Sequence, residues 1–303
     1  MPAERRPGYD HEWFDYSALA DRRRPGSGVA VVPIILLELY EDPLPEGWPQ
    51  PSSTAGGLDR AFPNISRVSM REYGHRVGIF RLLDALERHG VRPTIAIDAM
   101  TAEGYPWLVQ RLVDAGADWI AHGISVTRPI GSHLTAEEER AYVTETIERL
   151  AACGIETNGW LGPEYGESER TPGVLAAAGM EYVFDWTGDE QFVDFHVDTG
   201  RLTGFPLSAD LDDQTTLANR MAEPAAYGQH LVDAATELAI DDGRGARVLS
   251  FCVRPWLTGQ PFRVGVFDHF VDAVVDIDGA TLTHWTDAAA SLQTEPLQKA
   301  TTR

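Results

Sequence analysis

Apolar residues gather in short blocks along this chain, and most blocks are followed by a segment with one apolar face. Residues 28–39 hold the strongest block, Val-Ala-Val-Val-Pro-Ile-Ile-Leu-Leu at its centre. A run apolar on both faces predicts a parallel strand covered by helices. Residues 42–69 are rich in Pro, Gly and Ser and read as a long loop. Ile79, Leu82, Leu83 and Leu86 recur at i, i+3, i+4 and i+7, predicting a helix that Gly90 stops. Further strands are expected at 93–98, from Asp118 onward, and at 158–161, 182–184, 202–207, 248–253 and 280–283. Helices are expected at 105–115, from the capping box at Thr135 to about Cys153, from Thr171, at 224–240, along Phe262 to Val274, and near Trp285. Glu137 to Glu139 read as the solvated first turn of the helix after Thr135.

Strand and helix alternate in roughly seven units, which implies a parallel sheet. The length suits one α/β domain, a distorted (β/α)7–8 barrel over 28–294, with an arm at 1–27 and a tail at 295–303. A doubly wound open sheet is the competing architecture, but no Gly-x-Gly-x-x-Gly follows the first strand.

Composition narrows the partners. The 303 residues include 25 Lys plus Arg against 46 Asp plus Glu, a net charge of −21. Such a surface repels phosphate backbones, so no nucleic-acid partner is expected. Two cysteines, Cys153 and Cys252, are too few for a disulfide framework and read as reduced. The start of the chain has no apolar segment like that of a signal peptide. No run reaches the ~20 apolar residues of a membrane helix. The expectation is a cytoplasmic protein with a small-molecule substrate and no membrane partner.

In barrels of this kind the chemistry lies at the C-terminal ends of the strands. Those ends supply Glu38, Asp98, His122, Trp160, Asp185 and Arg254. Glu38, Asp98 or His122 could activate water, and Arg254 could hold a developing oxyanion. His122, followed at once by Gly123, has the competing role of a core histidine bonded to backbone. Trp160 and Trp186 could stack on a flat substrate or simply pack. Arg254 needs a carboxylate partner, for which Glu38, Asp98 and Asp185 are the candidates. Arg71, Glu72, Tyr73 and Arg76 are expected in a loop at a pocket edge or subunit boundary, with a local ion-pair cluster as the alternative.

Several stretches taken in order carry a family resemblance: Arg71-Glu72-Tyr73-Gly74-His75-Arg76-Val77-Gly78, Ala121-His122-Gly123, Gly159-Trp160-Leu161-Gly162-Pro163, Tyr182 to Trp186, and Arg254 to Pro261. With these the chain resembles the polysaccharide deacetylases, and more closely the branch of metal-independent allantoinases and cyclic imide hydrolases. The resemblance implies a distorted barrel that cleaves amide bonds. It implies Glu38, His122 and Arg254 as catalytic residues. It also implies Tyr40, Arg71, Glu72, Tyr73, Arg76, Asp98, Trp160, Pro163, Asp185, Trp186 and Trp256 as residues around the substrate. The departures are specific. Deacetylases of the family hold a metal with an Asp after the first strand and a His-x-x-x-His pair. Here the acid is Glu38, and Val126 stands where the second histidine would be. Arg254 stands where the family has a histidine. The expectation is therefore no metal and no cofactor, hydrolysis of a C–N bond in a cyclic imide or ureide, and a homo-oligomer (dimer or tetramer). A metal-dependent deacetylase of an acylated sugar and a catalytically altered ligand-binding barrel are the alternatives.

Overall fold

Strand β1 (Val29–Leu37) runs through the middle of the molecule and is buried along nearly its whole length. The computed structural model describes residues 26–49, 61–240 and 245–293. Most of the predicted arm and the tail from 295 lie outside them. β2 (Thr94–Ile97), β3 (Asp118–Ala121), β4 (Gly159–Trp160) and β5 (Tyr182–Val183) follow in parallel on one side of β1. β8 (Arg247–Val253) pairs with β1 over Val29 to Ile35 on the other side. β9 (Ala280–Leu282) pairs with β1 at Val29 to Val31. β6 (Val193–Phe195) and β7 (Leu202–Gly204) form an antiparallel pair that continues the sheet past β5.

Backbone bonds from Val248 N to the Glu190 carbonyl (2.9 Å) and from Ser208 N to the Ser250 carbonyl (2.8 Å) bridge the two edges. The barrel closes through these bridges rather than through a full ladder. Two apolar layers flank the sheet, one enclosed by the strands and one between the strands and the helices. Ile34, Leu36, Phe184, Phe205 and Trp285 cluster on one face of β1, and Ile35, Leu37, Ile97, Phe251 and Phe270 on the other. Alternation along β1 sends successive side chains to opposite faces.

The helices are α1 (Ile65–Tyr73), α2 (Ile79–Glu87), α3 (Ala99–Gly104), α4 (Pro106–Asp114), α5 (Ala136–Ala152), α6 (Thr171–Ala177), α7 (Pro224–Ile240), α8 (Val264–Val275) and α9 (Trp285–Gln293). The expected capping box is present, Thr135 and Glu138 bonding reciprocally at the start of α5. Two expectations are corrected here. Glu139 is fully buried, not solvated; its carboxylate accepts from Ser168 (2.7 Å) and Thr171 (2.6 Å), tying α5 to the start of α6.

The segment from Arg71 to Gly78 is helical, not a loop. Asn64 caps α1 through its side-chain oxygen (3.2 Å from Arg67 N), and one π-helical turn, Gly74–Gly78, joins α1 to α2. Glycines inside a helix are tolerated here because the backbone of the loop after β8 lies against them. A Cβ on Gly78 would fall 2.1 Å from the Pro255 carbonyl oxygen, and one on Gly74 would fall 2.7 Å from Trp256 N. The two motifs occur together because each is the other's packing surface. No helix among the described residues is long and apolar enough to cross a membrane.

Candidate active site

Three strand ends converge on one carboxylate. Glu38 stands one residue past β1, His122 one past β3 and Arg254 one past β8, and all three are buried. Arg254 Nε lies 3.2 and 3.3 Å from the two Glu38 oxygens. Its Nη1 donates to Asp212 (2.7 Å) and Asp213 (3.1 Å), and its backbone N–H to Asp213 (2.7 Å). Thr258 Oγ1 donates to the same Asp213 oxygen at 2.6 Å, and Tyr165 donates to Asp212 at 2.5 Å. A second guanidinium, Arg71 on α1, donates to Glu38 at 3.2 Å and stacks over Trp256, 5.0 Å from its ring centre. A buried guanidinium demands such partners.

His122 is set by backbone. Its Nδ1 lies 2.6 Å from the Leu161 carbonyl, which can only accept, so Nδ1 carries the hydrogen. Nε2 then faces Glu38 Oε1 at 3.5 Å. Gly123 turns the chain with φ +69°, a conformation glycine adopts without strain. The segment beyond is clamped by Glu41, which accepts from Ser125 (2.5 Å), Thr127 (3.0 Å) and Arg128 (2.7 Å).

The electrostatics follow from these neighbours. Burial alone would push the Glu38 carboxyl up. Arg254, the His122 ring 3.5 Å away, and Arg71 outweigh it and hold the group well below the usual carboxylate range. Burial disfavours the charged form of Arg254, but Asp212 and Glu38 reverse that and keep it a guanidinium. Burial pushes Asp213 up, Arg254 opposes this, and the neighbouring Asp212 adds to the rise.

A cleft of about 460 Å³ opens onto this cluster, with Glu38, Tyr40, Arg71, Glu72, His75 and Tyr105 on its walls. His122 and Arg254 stand behind Glu38 rather than on that wall. Tyr40 lies under Arg67 and Arg71, 4.7 and 5.1 Å from its ring centre, and its hydroxyl accepts from Arg67 Nη1 at 2.6 Å. Glu72 accepts from the Tyr105 hydroxyl. Burial first and then Arg71 push His75 down to about 4, so it is neutral at pH 7.

The remaining sequence-derived residues lie elsewhere. Tyr73 and Arg76 line an outer groove beside Ile65 and Val77. Asp98 is the N-cap of α3, and its oxygens accept from Thr101 N (2.7 Å) and Leu39 N (2.6 Å), which seats the residue after Glu38. Trp160 is fully buried and packs edge-on to Tyr142 at 6.4 Å, so the packing role holds for it. Pro163 presses on Gly123, where a Cβ would come within 2.6 Å of its ring. Asp185 accepts from Gly162 N at 2.7 Å and neighbours Glu167, while Trp186 donates to Glu167 at 3.0 Å. Trp256 lies beneath Arg71.

Of the three carboxylates expected for Arg254, Glu38 is a partner, while Asp98 and Asp185 bond elsewhere. Asp212, Asp213, Thr258, His75 and Tyr105 escaped the sequence reading. A buried arginine's need for carboxylates and the Asp210 to Asp213 run were the signals that pointed to the first two. Cys153 and Cys252 are free, the latter fully buried.

Comparison with known proteins bears on the fold. Residues 72–183 match the sequence profile of the polysaccharide deacetylase family. The structure is similar to that of a candidate polysaccharide deacetylase from Mycobacterium smegmatis, at 23% identity and TM-score 0.73, covering 96% of this chain and 95% of that one. It is similar to PuuE allantoinase at 19% identity and TM-score 0.76, covering 88% and 91% of the two chains. A third likeness is to a candidate polysaccharide deacetylase from Pseudomonas aeruginosa PAO1, at 22% identity and TM-score 0.75, covering 86% and 90%. No curated protein sequence matches this one. The architecture is the distorted (β/α) barrel of the polysaccharide deacetylases, with an allantoinase among its structural relatives.

Proposed function

We propose that this deacetylase-type barrel is a hydrolase that opens a C–N bond in a small cyclic imide or ureide, without a metal. The observation that carries the reading is Arg254, whose guanidinium sits on Glu38 and is fixed there by Asp212 and Asp213. A catalytic divalent ion wants about three side-chain donors and an open position. Glu38 and His122 offer two, Val126 cannot ligate, and a permanent cation already neutralises Glu38. A divalent ion does not fit this donor set, so the chemistry is assigned to the side chains.

In this reading Glu38, on the cleft wall and held ionised by two arginines, orients the attacking water. His122 receives the proton at Nε2, its basic nitrogen once Nδ1–H is committed to Leu161, and returns it to the leaving nitrogen through Glu38. Arg71 and the Tyr40 hydroxyl face the substrate carbonyl and stabilise the charge that grows on its oxygen. Uncharged, compact rings match a cleft of about 460 Å³ better than a polymer does.

The test combines elemental analysis of the purified protein with turnover of a panel of cyclic imides and ureides, before and after chelation. The expected result is turnover that chelation leaves unchanged and no stoichiometric metal. Activity lost to a chelator and restored by zinc overturns the reading. His122→Ala is expected to lower kcat by about 10²–10⁴, with the circular-dichroism spectrum retained.

A further inference from the structure

We propose that Glu72 sets the charge selectivity of the cleft, admitting an uncharged substrate that offers an N–H and rejecting one that bears a carboxylate. The inference rests on the imide or ureide reading of the same cleft and narrows it.

The walls carry donors and acceptors in distinct places. Arg71 Nε is buried and has no hydrogen-bond partner among the described residues, and the residue lines the cleft. Tyr40 accepts from Arg67, which leaves its own hydroxyl hydrogen available. These two suit a carbonyl oxygen. Glu38 and Glu72 are the opposing acceptors and suit an N–H. A ring in which C=O and N–H alternate satisfies both sides.

Charge separates Glu72 from Glu38 and Glu41, while Asp42, also on the wall, spends an oxygen on the Asn64 backbone N–H at 2.5 Å. Glu38 faces Arg71 and Arg254, and Glu41 faces Arg128. The partner of Glu72 is the Tyr105 phenol, a neutral donor, through one of its two oxygens. His75, whose Nδ1 is buried without a partner among the described residues, adds no positive charge, because burial and Arg71 keep it neutral at pH 7. Arg76 is not on this wall; it lines the outer groove, which Glu72 also borders, and makes no ion pair with Glu72 among the described residues. A carboxylate entering on this side meets Glu72 and Asp42, and the guanidinium on the wall, Arg71, already has its charge matched by Glu38, whereas an N–H gains a charged acceptor. Like charges brought together in a partly dry cleft weaken binding strongly, and hydrogen bonds to a carboxylate are stronger than neutral ones.

Isothermal titration calorimetry on the full chain tests this with two probes, hydantoin and hydantoin-5-acetic acid, at pH 7.5. The expected result is at least about tenfold tighter binding of hydantoin, and a Glu72→Gln variant in which the ratio falls below about threefold. Equal or tighter binding of the carboxylate probe, no binding of either, or an unchanged ratio in Glu72→Gln overturns the inference. The wild-type ratio tests it alone should the variant fail to fold. Binding is measured apart from turnover. Selective binding of hydantoin without ring opening overturns the proposed reaction and leaves this inference standing. Opening of both probes without preference does the reverse.

Discussion

Two carboxylate groups stand at strand ends of this barrel and behave in opposite ways. At the ends of β1 and β8, Glu38 is surrounded by Arg71 and Arg254 and stays ionised in the core. Past β5, Asp185 and Glu167 face each other without a cation, and burial followed by their mutual repulsion pushes Asp185 far up. Burial likewise raises Glu167. Asp185 Oδ2 and Glu167 Oε2 are buried with no donor among the described residues, and one proton shared between the two carboxyls satisfies both. Glu38 is the deeper of the two and still the one that stays ionised, while Asp185 and Glu167 are half-buried, so the partner decides the protonation state. A carboxylate at a strand end is therefore not a sign of catalysis until its neighbours are known.

The largest effect is expected from Arg254→Met, which leaves Glu38, Asp212 and Asp213 as mutually repelling buried anions and makes the first region resemble the second. Unfolding by guanidinium chloride should show a loss of about 3–5 kcal/mol, and turnover should vanish. Arg254→Lys should keep most of the stability and still lose activity, because an ammonium cannot span Glu38 and Asp212 with one planar fork. Full activity in both variants would remove Arg254 from the chemistry.

Next in size is Thr258→Val, which takes a hydroxyl donor from Asp213. The expected cost is about 1–3 kcal/mol in the same measurement.

The smallest effect belongs to the second region and depends on pH. Glu167 has a folded pKa raised above its unfolded value. Its protonated form therefore contributes stability that is fully present below about pH 4.5 and is lost as pH rises through the folded value. Glu167→Gln removes that loss. Its melting temperature relative to wild type should climb by about 2–4 °C from pH 5 to pH 8, the equivalent of ~1 kcal/mol. Parallel curves would mean that the pair does not share a proton.

Much of the scaffold was legible in the sequence because it rests on local pattern. The apolar block of β1, the i, i+3, i+4 spacing of α2 and the Thr135 capping box each announce themselves within a few residues. α1 and the π-helical turn after it did not, since Ile65 and Val77 are exposed and Gly74 and Gly78 make sense only against the Pro255 and Trp256 backbone. β6 is three residues long, too short to show a period, whereas β7 falls within the strand expected at 202–207.

In the site, Glu38, His122, Arg71 and Arg254 were legible as strand-end or motif residues, and they do come together. Which acid pairs with Arg254 was not, because Asp98 and Asp185 occupy equivalent strand ends yet are claimed by backbone N–H groups two or more residues away. Glu139 looked like an ordinary first-turn acid, and only the approach of Ser168 and Thr171 buries it.

The place of β1 between β2 and β8 has a consequence for how the chain is made. β1 is complete once Leu37 has been synthesised, while β8, which covers its other edge from Val29 to Ile35, follows about 200 residues later. At ~5–20 residues per second, the most apolar strand of the protein waits about 10–40 s on the ribosome with one row of amide and carbonyl groups unpaired. An open apolar edge of this kind is a template for pairing with another chain. Completion of the Glu38 and Arg254 cluster and protection of that edge are the same event, so nascent chains stay vulnerable to aggregation until the residues that finish the site emerge.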